Sequence, residues 1–381
     1  METKIKHRIF LSVFFFLSGV CFSTWASRIP TIKINFQFND AELGTLLLFM
    51  PISSLIGLPI SGWLVSRFNS RGPIITAFSS LAFALTLIGF STSTVMLIAA
   101  ICLFSFSMRI MNISINTQAI SIQKMYDRKI NGSFHGLWST GGIAGVGIST
   151  LFVSLEIPIR YHLLTVSIIA VAMAAFSYRF LLRNDRPVSS SKLSLGNPDP
   201  YIIYLGLLVF LASICEGGMF DWSGVYFREV VNEKIFTLGY LIFMVFMSMS
   251  RFLSDRVVED IGMPKTFVLS ALLIFMGVLL AVLFPSFWSS MIGFCLIGFG
   301  AASVVPMTFS LAGNSKKYSP GMAISIIATY SIVGMLIGPP MIGYIAHALN
   351  LRIAFVTFAL AGLMLIPVSQ LFFRLQRLNS K

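Results

Sequence analysis

Ser105, Arg109, Asn112 and Asn116 follow one another at intervals of four, three and four residues in a run that is otherwise largely apolar. That spacing lines them along one face of a helix. An ionised side chain in hydrocarbon costs ~3 kcal/mol even by insertion scales, so the Arg109 guanidinium has to face a partner or a wet cavity. There it can bind an anionic or hydroxyl-rich solute, or bias a nearby proton site. It can equally hold helices together or snorkel to the surface. At ~1.5 Å per residue from Val95, Arg109 lies ~21 Å along its helix. Glu216 has the complementary chemistry, ~22 Å beyond Tyr201 in another apolar stretch. A carboxyl at such depth can take a proton from one side and release it on the other, or it can be tied down by structural hydrogen bonds.

The elements that must hold these groups follow from composition. Of 381 residues, 56% are hydrophobic and only 11% are charged, with 36 Phe and 19 Met. A soluble domain carries about 25% charged residues, so lipid is the solvent this chain is built for. Segments of about 20 apolar residues span a bilayer. They are read at 9–29, 43–65, 73–92, 95–121, 133–155, 161–182, 201–224, 236–252, 265–284, 287–311, 320–345 and 353–373. The separators at 91–94 and 285–286 are the shortest. The first stretch follows Lys4, Lys6 and Arg8 and is read as a first helix rather than a removed leader. If both termini are cytoplasmic, twenty of the 27 Lys and Arg fall on the inner side and six on the outer, with Arg109 inside a span. That bias orients a multi-pass protein of the cell inner membrane with both termini inside. The same clustering in short gaps accounts for the net charge of +13 without nucleic acid.

Residues 183–200 are charged and rich in Ser and Pro, the composition of a linker. They divide the chain into a six-helix bundle at 1–182 and another at 201–381. The halves repeat weakly. Ser61–Arg67 parallels Ser250–Arg256, Leu43-Gly44 parallels Leu238-Gly239, and Trp25 parallels Trp222, at offsets of 189, 195 and 197. Such a parallel repeat turns about an axis along the membrane normal.

In this frame Arg28 and Asp221 stand near the outer ends of the first and seventh spans. They form either an opening and closing gate or a plain interfacial salt bridge. Trp25 and Trp222 beside them stack on a solute ring or anchor at the bilayer interface. His135, at the inner start of the fifth span, is a proton relay or a surface group. Asp255, Arg256 and Arg251 are read as an inner latch between helices.

Six plus six helices about a cytoplasmic linker resemble the major facilitator superfamily. After the second helix that family reads roughly Gly-x-x-x-Asp-Arg-x-Gly-x-Arg; here Gly62, Arg67 and Arg71 fit, while Ser66 and Asn69 depart. The copy after the eighth helix keeps Asp255-Arg256, with Arg251 in place of the glycine. Gly141, Gly142, Gly145 and Gly147 in the fifth helix, and Gly338, Pro339, Pro340 and Gly343 in the eleventh, are similar to the family's packing helices. Arg109 matches its fourth-helix arginine. The stretches at 25–30, 135–141, 216–223 and 305–306 are similar to the YbjJ/MosC-like branch. The resemblance implies an all-α membrane protein of twelve transmembrane helices and the activity of a transporter, and supplies no substrate.

Cys21, Cys102, Cys215 and Cys295 lie in apolar runs without metal-ligand spacing, so neither metal nor disulfide is expected. No HExxH, GxSxG or Walker-type loop occurs, and no gap is long enough for a catalytic domain. The expectation is a secondary transporter, not an enzyme, with no cofactor. It moves a small polar solute by alternating access, coupled to protons, and works as a monomer. Substrate-binding residues are read as Arg109, Asn112, Asn116, Trp25 and Trp222, and proton-coupling residues as Glu216 and Asp221. Gating falls to Arg28, Asp255, Arg256 and Arg251. Proton-driven efflux of amphipathic drugs or metabolites is the alternative; a membrane-embedded transferase or a non-transporting receptor is more remote.

Overall fold

The computed structural model describes residues 2–126, 130–183, 185, 199–315, 317–318 and 320–378, and among them every regular element is a helix. The order is α1 (Glu2–Ala26), α2 (Ile29–Asn35), α3 (Asp40–Phe68), α4 (Arg71–Phe90), α5 (Thr94–Gln123), α6 (Asn131–Ser154), α7 (Ile159–Tyr178), α8 (Pro200–Glu229), α9 (Thr237–Ile261), α10 (Met263–Leu283), α11 (Phe287–Ala302), α12 (Val304–Ala312), α13 (Pro320–Ala348), α14 (Leu351–Ala354) and α15 (Val356–Leu378). Twelve stretches among the described residues are long and apolar enough to cross a membrane. In lipid only a helix satisfies every backbone group within its own segment, which is why no other element is used.

The expected spans recur with shifted ends. The first runs Lys4–Asn35 and is broken between α1 and α2. Pro30 lies in the first turn of α2 and has no N–H to return to the Ala26 carbonyl. The chain tightens there instead, with Arg28 N bonded to Trp25 O at 3.0 Å. Pro306 divides the tenth span into α11 and α12 in the same way. The eighth span, α9, runs on past the expected end at 252, to Ile261. Both short separators are real helix boundaries. Ser93 Oγ accepts from Met96 N, and Ser286 and Ser289 form a capping box. The linker expected at 183–200 lies outside the described residues, apart from 183, 185, 199 and 200.

The chain forms two compact units. The first comprises Met1–Gln37 and Phe49–Ser191, the second Phe38–Leu48 and Lys192–Lys381. In the second, Gly44 lies against Gly343 and Pro340 of α13, and Thr45 Oγ1 is 2.9 Å from the Tyr344 hydroxyl.

Each unit is keyed by small residues that let backbones touch, since lipid offers no hydrophobic drive between helices. In the first, a Cβ on Gly141 would lie 2.0 Å from Phe16 O, and one on Gly145 would lie 2.5 Å from Val20 O. In the second, Gly334 meets Phe210 O and Gly338 meets Ile214. The glycines are related by an offset of 193 and their α1 and α8 contacts by 194. One crossing, α1 on α6, is thus built again as α8 on α13. Gly145→Leu should therefore force α1 from α6 and lower the thermal midpoint in detergent, an overpacking cost of roughly 1–3 kcal/mol or more. Gly147→Leu, where a Cβ meets nothing within 4 Å, should leave the midpoint unchanged.

Candidate functional site

In the first unit the polar stripe of α5 divides into two parts. Ser105 Oγ donates to the Met50 carbonyl at 2.5 Å, and Arg109 Nε donates to Ser54 Oγ at 2.7 Å, so the lower-numbered half is tied to α3. Gly57 makes the approach possible, because a Cβ there would lie 3.2 Å from Arg109 Cβ. Asn116 Nδ2 bonds the Asn112 side-chain oxygen at 2.9 Å and its carbonyl at 2.8 Å, while Asn112 itself is exposed. Arg109 is half-buried. With one N–H engaged by Ser54, its remaining donors stay available to an oxygen-rich ligand.

Arg28 finds its partners within its own unit. Only 4% exposed, it donates from Nε to His162 Nδ1 at 3.0 Å and from Nη2 to the Ile157 carbonyl at 3.3 Å. Since Nδ1 accepts, the neutral ring carries its proton on Nε2, 3.4 Å from Ser149 Oγ. Ser149 Oγ also accepts from Ser27 Oγ at 2.6 Å. This buried chain joins the break after α1 to α6 and α7. His162 was not singled out from the sequence, where it is one histidine near the start of an apolar run. His135, which was, is exposed and lies edge-on to Phe15.

A second buried network was also missed. Ser70 N donates to Asp185 Oδ1 at 2.9 Å, the Ser70 hydroxyl donates to Asp185 Oδ2, and Gln118 Nε2 donates to Ser70 Oγ at 2.8 Å. Arg71 donates to the Tyr178 carbonyl at 3.1 Å and lies over the Tyr178 ring. The loop after the second span lacks the acid its sequence pattern calls for. Asp185, from beyond α7, brings a carboxylate to it.

In the second unit Arg251 Nη2 lies 2.8 Å from Glu216 Oε1, with side-chain exposures of 30% and 10%. The sequence placed Arg251 with Asp255 and Arg256 at an inner latch and left the Glu216 carboxyl without a counter-charge. In the structure this ion pair joins α8 to α9. Removing one partner of such a partly buried pair leaves the other charge without this counter-ion. Arg256 is exposed, and the Asp255 side chain lies outside the described residues. Asp221 is half-buried, and no hydrogen-bond partner meets its carboxylate among the described residues.

Trp25 and Trp222, read from the sequence as solute-stacking or interfacial, are both buried, at 1% and 0% exposed. Trp25 packs 6.2 Å from the Phe104 ring, and each indole N–H is buried without a partner among the described residues. No group of three or more His, Cys, Asp or Glu able to hold a metal occurs among the described residues.

Twelve apolar helices, repeated packing and charged groups placed inside the spans define a polytopic membrane transporter. The chain belongs to the major facilitator superfamily, whose family model matches residues 11–316 and 256–381. An uncharacterized MFS-type transporter of Yersinia pestis is 30% identical over 359 residues, 93% of each chain. Membrane protein MosC of Rhizobium meliloti is 30% identical over 363 residues, 94% of this chain and 88% of MosC. Among solved structures, a mutant of the nucleoside transporter NupG aligns over 97% of this chain and 100% of its own, with TM-score 0.77 and 12% identity. A bacterial homolog of the human lysosomal transporter Spinster, inward-facing and unoccupied, aligns over 98% and 96%, with TM-score 0.73 and 13% identity. At such identity these two likenesses are of fold alone. These relatives and neighbours are transporters, not enzymes.

Removing the acceptor that holds Arg28 gives a direct test of its network. His162→Phe should strand a buried guanidinium N–H and destabilise the protein by roughly 1–3 kcal/mol. His162→Gln, which can still accept, should recover part of that loss; thermal melts in detergent read both.

Proposed function

We propose that this chain is a proton-coupled secondary transporter of a small polar solute, working by alternating access in the cell inner membrane. The observation that carries the reading is the Glu216–Arg251 pair at 2.8 Å inside two apolar helices. Protonating Glu216 cancels its charge and with it the ion pair to Arg251. The two protonation states then differ in their internal contacts, and a ligand that prefers one of them shifts the balance. That is the element coupling requires. A solitary carboxylate would change charge without changing a partner.

In this reading Arg109, with Asn112 and Asn116, contributes donors to the solute, and the Ser54 bond orients the guanidinium. The six-helix halves at 1–182 and 201–381 are the moving bodies, joined by a cytoplasmic linker, with both termini cytoplasmic. The working unit is a monomer. With Arg28 held by His162 in its own unit, gating would act through Asp221 near the outer end of its span and Asp255 and Arg256 on the inner side. The superfamily membership supports transport of a small molecule. The nucleoside named for NupG is that protein's own substrate, and fold likeness alone does not carry it to this chain.

The test begins with a thermal-shift screen of sugars, amino acids, organic acids and drugs on purified protein, followed by transport of the stabilising solute in proteoliposomes. Glu216→Gln should abolish accumulation driven by a pH gradient while counterflow of labelled for unlabelled solute persists; undiminished uphill transport would sink the coupling role. Arg109→Ala should weaken solute binding at least tenfold, about 1.4 kcal/mol, with the thermal midpoint retained. Wild-type affinity would return Arg109 to helix packing.

A further inference from the structure

A cleft of about 400 Å³ opens in the first unit, lined by Arg28, Thr31 and Asn35 on one side and by Glu156, Ile157 and Arg160 among others opposite. Its size is that of a small-molecule site. Arg28 is its built feature. The guanidinium is 4% exposed and fixed by His162 Nδ1 and the Ile157 carbonyl. Those two bonds use two of its five N–H groups, and a buried cation does not leave donors idle without cost. Among the described residues no carboxylate pairs with Arg28 or Arg160, although Glu156 lines the same cleft. The Arg160 guanidinium lies over the neighbouring Tyr161 ring, 4.7 Å from its centroid. Thr31 and Asn35 follow Arg28 at intervals of three and four residues, so all three face one way from α2.

We propose that this cleft is a binding site for a small hydroxylated organic carboxylate, separate from the Arg109 and Glu216 groups. Two guanidiniums against one carboxylate leave the cleft net positive, which selects an anion. Planar guanidinium matches the carboxylate in shape as well as charge. Thr31, Asn35 and Glu156 then supply a hydroxyl, an amide and an acceptor for the ligand's own hydroxyl groups. Inorganic anions lack the hydroxyls, and neutral polyols lack the charge. Under the orientation proposed above, the cleft lies on the outer side, where it would hold solute ahead of transport. This last point alone rests on that reading.

Isothermal titration of the full-length protein in detergent tests the site, with sodium gluconate as probe, sorbitol as its uncharged counterpart and sodium sulfate as an inorganic anion. Gluconate should bind saturably, with sorbitol and sulfate at least tenfold weaker. Arg160→Gln and Asn35→Ala, both at exposed positions, should each weaken gluconate at least fivefold while the thermal midpoint stays put. Glu216→Gln should leave gluconate binding as in the wild type, whether or not it abolishes coupling. The assignment is overturned if wild type shows no saturable gluconate binding, if sorbitol or sulfate binds equally well, or if the two cleft variants bind as wild type does. Loss of gluconate binding in Glu216→Gln overturns it too, by moving the ligand to the other unit.

Discussion

Hydrocarbon accepts no hydrogen bonds, and everything in this protein answers to that fact. Backbone groups are satisfied inside each helix. Polar side chains within the spans turn to a neighbouring helix of the same unit, as Arg109 does to Ser54, Arg28 to His162 and Arg251 to Glu216. These attachments differ in kind. Ser54 is a neutral acceptor that orients a charge without cancelling it. His162 holds Arg28 by its ring nitrogen. Of these three, Glu216 alone brings an opposite charge.

That distinction separates positions that fix structure from positions that can change it. The Arg28–His162–Ser149–Ser27 chain ties three helices at one end of the first unit. The Ser70–Asp185–Gln118 cluster ties three segments together elsewhere in it. Both are buried, with Arg28 and Asp185 only 4% and 5% exposed. A buried hydrogen bond is strengthened by the low dielectric around it, which is what makes such knots firm. The Glu216–Arg251 bond differs because Arg251 keeps 30% of its side chain exposed.

The spans were legible in the sequence because hydropathy over about 20 residues is a local quantity. The Arg109 stripe was legible because a helix repeats every 3.6 residues. Partnerships were not legible, since Glu216 and Arg251 are 35 residues apart and Arg28 and His162 are 134 apart. No periodicity links residues on different helices. His162 escaped notice because a lone histidine in an apolar run is unremarkable until its neighbours are known. The burial of Trp25 and Trp222 was not legible either, since depth is set by the helices around a side chain and not by its place along its own span. Pro30 and Pro306 did carry a local signal, the missing N–H, and the breaks beside them follow from it.

The twin glycine crossings have a steric meaning. Gly141 and Gly145 against α1, and Gly334 and Gly338 against α8, hold the same register although most of the surrounding side chains differ. Side chains can be exchanged one at a time, but at Gly141, Gly145 and Gly334 a larger residue would meet backbone within 2.6 Å. Sterics therefore hold the two crossings to one design where chemistry is free to differ.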